Sequence, residues 1–136
     1  MTVQTETITC LTVSGPRLDI LVAGCHSGNL VSINTKQRSK KETYQLAHSN
    51  LIRVLASLST LRNKFFVSAD VCGFIKVWAA QMRPTKVNEF QLDGAISYNS
   101  MVEVEGFLPK KPEFKESAII AVALKSQKVH IIMITP

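Results

Sequence analysis

Apolar positions in this chain fall in short dense runs separated by small or polar residues, and one arrangement recurs three times. An apolar run, a brief turn and a second apolar run make up Ile20–Ile33 (ILVAGCHSGNLVSI), Phe65–Trp78 (FFVSADVCGFIKVW) and Ala118–Met133 (AIIAVALKSQKVHIIM). Aligned on the turn, Gly28, Gly73 and Lys128 correspond, at spacings of 45 and 55 residues. Each half is rich in Val, Ile and Phe, which predicts three β-hairpins. Gly28 and Gly73 suit a turn position with positive φ, where a Cβ would clash. Lys128 in that place predicts a weaker third hairpin.

The runs are nearly continuous rather than alternating, so these strands are expected to be covered on both faces. No long helical segments are available to cover them, which leaves sheets stacked on sheets and an all-β fold. One stretch reads both ways. Ser49–Lys64 places Leu51, Ile52, Leu55, Leu58 and Leu61 at helical spacing behind a candidate N-cap, Ser49. As a strand it puts Ile52, Val54, Ala56 and Leu58 on one face. The corresponding Ile8–Val13 and Met101–Val104 are not helix-like, and the repeat therefore favours the strand. Thr43–Leu46 and Val87–Leu92 are candidate outer strands, with turns at 47–50 and 93–95. Residues 105–116, with Pro109 and Pro112 among charges, read as an inserted exposed loop.

Composition narrows the class. The 136 residues are 46% apolar and 19% charged, as expected for one globular domain over residues 1–136 and not for a disordered chain or a disulfide scaffold. No run approaches the length of a membrane span. The first ten residues lack a basic region followed by an apolar one, so an intracellular, cytoplasmic setting is expected. Cys10, Cys25 and Cys72 share no metal-knuckle or redox spacing and are expected to be buried, reduced thiols. The formal charge of +6 is densest at Lys36, Arg38, Lys40 and Lys41. That basic patch admits a second role, binding a phosphoinositide membrane, RNA or acidic protein tails. No aromatic residues interleave with it as base stacking requires.

The middle repeat resembles a WD-repeat β-propeller blade. The matching residues are Ala47-His48, Leu51-Ile52, Leu55, Phe66-Val67-Ser68 and Gly73 through Trp78. The resemblance implies a hydrogen-bonded network that pins the blade, carried here by His48, Ser68 and Trp78. Cys72 stands where the pattern has Asp and Ala79 where it has a second Asp, so the network is expected to lack its charged member. The first repeat matches in outline, with Ile33 at the Trp place; the third has Met133 there. Blades are expected at about 7–46, 48–92 and 97–135.

Propellers close with four to eight blades of four strands, and this chain holds about three, the last without its outermost strand. Residues 2–7 are a candidate for such a strand. Two bare blade faces, each with on the order of 400 Å² of apolar surface, forgo roughly 10 kcal/mol of burial apiece. That rivals the whole stability of a domain, about 5–15 kcal/mol. The arc is therefore expected to be completed by a second copy, a different chain or the rest of a longer protein.

The motif signatures of common enzymes are missing: no GxSxG, no P-loop and no dinucleotide turn. His26, His48 and His130 share no ligand spacing, and His130 within an apolar strand reads as a packed residue. No catalytic residue, metal site or cofactor is expected. The chain reads as a non-catalytic scaffold that mediates protein–protein interaction within an assembly, as a homo- or hetero-oligomer. By the resemblance, partners dock on the face carrying the hairpin turns and the entries to the first strands, here His26, Asn29, Asn50, Arg53, Asp70, Lys125 and Lys128.

Overall fold

The computed structural model describes residues 6–106 and 108–136. Eleven strands in the described residues form three antiparallel sheets, each a simple meander. The first holds β1 (Ile8–Ser14), β2 (Ile20–Cys25), β3 (Leu30–Asn34) and β4 (Lys41–Tyr44). The second holds β5 (Ile52–Ser57), β6 (Phe65–Asp70), β7 (Phe74–Ala79) and β8 (Thr85–Gln91). The third holds β9 (Ile96–Glu103), β10 (Ala118–Leu124) and β11 (Val129–Ile134). It has three strands, the outermost strand of a four-stranded blade being absent as expected, and among the described residues the edge of β11 is open. Of the candidate strand at residues 2–7, positions 2–5 lie outside the described residues.

First strands meet first strands: β5 packs against β1 on one side and β9 on the other. The sheets thus fan out from a common inner line without closing, which is the architecture of a partial β-propeller. Apolar residues on both faces of the middle sheet account for its continuous runs. Leu55, Phe66 and Trp78 pack against Ile20, Val22 and Leu30 of the first sheet. Trp78 lies edge-on to Tyr44, with ring centroids 5.0 Å apart, and stacks on Phe66. On the opposite face Val67, Ala69, Ile75 and Val77 pack against Ile120, Val122, Leu124 and Ile134. Burying large side chains on both sides provides the hydrophobic stabilisation of the stack.

The ambiguous stretch is a strand over Ile52–Ser57 and then one 3-10 turn, Ser59–Leu61. A bulge between Ile52 and Val54 shifts the alternation, so apolar residues from both faces are buried. Leu58 and Leu61 enter the core from the turn rather than from a helix. The helical spacing was therefore the sum of a two-faced strand and a plugging turn.

The hairpin turns correct the alignment of the third repeat. Gly28, Gly73 and Gln127 each have positive φ, 90°, 88° and 69°. Each donates its backbone N–H to the last residue of the preceding strand, Cys25, Asp70 and Leu124. Gln127, not Lys128, is thus the counterpart of the glycines. Trp78 pairs with Phe66 and Ile132 with Ile120, both on the face toward the preceding sheet. Ile132, not Met133, holds the Trp position. A one-residue slip moves every side chain to the other face.

Candidate functional site

The first two hairpin turns abut the chain entering the next sheet: His48 donates its backbone N–H to Gly28, and Leu92 to Gly73. Ile52 at the start of β5 pairs with Asp70 at the end of β6. The turns after β2, β6 and β10 and the entries to the first strands therefore share one end of the stack. The β3–β4 loop, with its basic residues, lies at the other end.

Beneath the turn end, in the middle sheet, lies the pinning network. Asp70 only accepts when ionised, so His48 Nδ1–H donates to Asp70 Oδ2 at 2.8 Å. His48 Nε2 is 2.6 Å from Ser68 Oγ, and Trp78 Nε1–H donates to the same Oγ at 2.8 Å. Ser68 Oγ thus accepts from the indole and is hydrogen-bonded to the imidazole, which links Trp78 to the His48–Asp70 pair. Asp70 Oδ1 also accepts from the backbone N–H of Cys72 at 2.8 Å and of Phe74 at 3.1 Å, which folds the turn around it. Burial pushes the Asp70 carboxyl up; the hydrogen bond and charge of His48 and the two amides outweigh it and hold the group below the usual carboxylate range.

The network thus has its charged member, contrary to the expectation from the motif. Asp70, two residues before Cys72, supplies the carboxylate, and Cys72 stands exposed in the turn. Asp70, a candidate docking residue, is buried in the turn rather than displayed at the surface. Serine, histidine and aspartate are linked here in the order of a hydrolytic triad. All three are sealed from solvent and the serine oxygen is already held by Trp78, so no substrate carbonyl reaches it in this arrangement.

Of the other candidate docking residues, His26, Lys125 and Lys128 are exposed at the turn end and Asn50 is half-buried there. Asn29 is tied down: its Nδ2 donates to Glu6 at 2.8 Å and its Oδ1 accepts from the Leu46 amide at 2.8 Å. Arg53 is buried in the β5 bulge rather than displayed. Lys36, Arg38 and Lys40 on the β3–β4 loop and Lys41 at the start of β4 are all exposed at the opposite end. Two acidic residues were missed. Glu6 accepts from Ser27 and Asn29, bonds that hold its carboxyl below the ordinary value. Asp93 faces Lys128 at 3.6 Å and His130 at 3.5 Å, and chiefly the lysine charge lowers it. His130 is half-buried beside this carboxylate rather than packed in the core. Neither acid carried a local signal, since each is recruited across sheets or loops. Of the thiols, Cys25 is buried and Cys10 half-buried, whereas Cys72 departs from the expected burial.

Among the described residues no three His, Cys, Asp or Glu side chains group as metal ligands, and no helix is long and apolar enough to cross a membrane. No protein-family profile matches the sequence, and no curated protein matches it. Solved structures do. Raptor from Chaetomium thermophilum superposes with a TM-score of 0.70 over 98% of this chain at 16% identity. U3-55K does so with a TM-score of 0.63 over 99% at 16% identity. The chain spans 12% of the Raptor chain and 41% of the U3-55K chain. These likenesses support a WD-repeat-like, β-rich fold for the unclosed arc.

Proposed function

We propose that this chain is a non-catalytic WD-repeat scaffold, an arc of a propeller that mediates protein–protein interaction within a larger intracellular assembly. The observation that carries this reading is the pairing of a rigid, internally pinned sheet stack with an exposed turn end and two apolar outer faces. A platform of this kind binds through surface shape and charge without moving. The turn end offers His26, Lys125 and Lys128 as adjustable polar contacts around a fixed backbone.

Proximity labelling of the tagged protein in its own cells tests the reading. Lys125→Glu and Lys128→Glu together should remove a defined set of neighbours while leaving the folded spectrum unchanged. An unaltered neighbour set would overturn the docking role of this end.

The four exposed basic side chains of the β3–β4 loop and the start of β4 favour a second reading, an anion-binding surface at the opposite end. It requires binding to acidic vesicles or RNA that weakens steeply with salt. Charge reversal of Lys36, Arg38, Lys40 and Lys41 should abolish that binding; indifference to both removes this reading.

A further inference from the structure

The two outer faces of the arc are the two halves of an interface that the chain already makes twice within itself. Register equivalence shows this residue by residue. Ile75 and Val77 of β7 are 0% exposed because the third sheet lies on them. Val129 and Ile131 hold the same places on β11, facing away from the second sheet, and are 65% and 56% exposed. Val102 and Met133 stand exposed on the same face. At the other end, Leu55 of β5 pairs with Ser68 and is 7% exposed under the first sheet. Leu11 of β1 pairs with Ala23 in the equivalent register and is 59% exposed. Leu11 and Val13 stand exposed on that face beside the buried Ala23 and Ile33, and a cavity along it is lined by Leu11, Leu21, Ala23 and Ile33 with Thr35 and Arg38 at its rim.

The third sheet thus presents the face on which a following sheet packs, and the first sheet presents the face that packs on a preceding one. We propose that a second copy of this chain covers both, first sheet against third sheet twice over, in a closed ring of six sheets. The proposal rests on the unfinished-arc reading above and names what finishes it. A head-to-tail contact of this sort closes into a ring when the rotations sum to a full turn, and six blades lie within the range propellers adopt. One partner of identical sequence satisfies both faces with contacts of a kind already present inside the arc. With on the order of 400 Å² on each of four flanks, the ring buries about 1,600 Å², the size of an ordinary stable complex.

Sedimentation velocity of the purified chain at micromolar concentration tests this, with single substitutions at exposed positions that leave the sheets intact. The wild type should sediment as a species of twice the chain mass. Ile131→Lys and Leu11→Glu should each give monomers, with at least a hundredfold weaker association. Mixing the two variants should restore the dimer. One of its interfaces then joins two unaltered faces, and the other sets the introduced lysine beside the introduced carboxylate. A dimer indifferent to either substitution, or variants that do not complement each other, would overturn the proposed ring. A folded monomer that binds an apolar dye, and binds less after either substitution, overturns the second copy but leaves the unfinished arc standing. A folded monomer that binds no dye overturns both.

Discussion

His48 and Asp70 meet at 2.8 Å across the boundary between a loop and a strand, and neither touches water. His48 arrives from the segment that follows the first sheet, Asp70 from the last position of β6. Their contact therefore fastens the entry of the middle sheet to its own hairpin turn, while Ser68 extends the chain of bonds to Trp78.

Removing one member of such a buried pair strands the other. Asp70→Ala should lower stability by about 3 kcal/mol, read from denaturant unfolding with the single tryptophan, Trp78, as the probe. The pH dependence has a defined sign. The folded carboxyl lies below its ordinary value, about 3.9 in an unfolded chain. Its contribution is complete above that value and disappears as pH falls through the lower, folded one. The stability gap between wild type and Asp70→Asn should narrow below about pH 4; a gap independent of pH would contradict the assignment.

Trp78→Phe keeps an aromatic ring between Phe66 and Tyr44 but deletes the indole donor to Ser68. The loss should be about 1 kcal/mol for the hydrogen bond, plus a smaller packing loss. Circular dichroism melts of the two proteins provide the comparison.

Two of the hairpin turns make opposite predictions from one conformation. Gly28 has a φ of 90° and abuts the carbonyl of His48, so a Cβ is strained and also overlaps backbone. Gly28→Ala should cost about 3 kcal/mol. Gln127 already bears a side chain at a φ of 69°. Gln127→Gly should therefore stabilise the protein by about 1 kcal/mol. Thermal melts of both variants decide; a loss at Gln127 would mean its side chain has an undescribed role.

Glu103, at the end of β9, accepts from the Ser59 amide at 2.9 Å, the Ser59 hydroxyl at 2.6 Å and the Thr60 amide at 3.1 Å. One carboxylate thus caps a 3-10 turn of the neighbouring sheet. Glu103→Ala should cost about 1 kcal/mol and speed amide exchange at Ser59 and Thr60 before the strands are affected. Unchanged exchange there would show that the cap is dispensable.

Thiol labelling should separate the cysteines. Burial, with the nearby charge of Glu6, pushes the Cys25 thiol up to about 12, whereas Cys72 is exposed in its turn. Iodoacetamide should modify Cys72 first and reach Cys25 only on unfolding, as peptide mass spectrometry will show. Early labelling of Cys25 would place the first sheet's outer face in a more open state than the structure has.

Three hairpins, their all-β character and the number of sheets were legible in the order of residues alone. Those features depend on local preferences: β-branched runs of strand length, and glycines at turn positions that exclude a Cβ. That order also marked His48, Ser68 and Trp78 as one group. Tertiary structure decided which carboxylate completes that group, because Asp70 qualifies by where its turn folds back rather than by its place in a motif. It likewise fixed the register of the third hairpin, where Gln127 and Lys128 are equally polar and only cross-strand pairing separates them. In the Leu51–Leu61 stretch the repeat pointed to the strand found at Ile52–Ser57, whereas the bulge and the 3-10 turn at Ser59–Leu61 were hidden, since a strand buried on both faces and a helix bury similar spacings. Whether Leu11 or Leu55, Ile131 or Val77, ends up covered is invisible locally. It depends on which sheet has a neighbour, and that is a property of the packed arc.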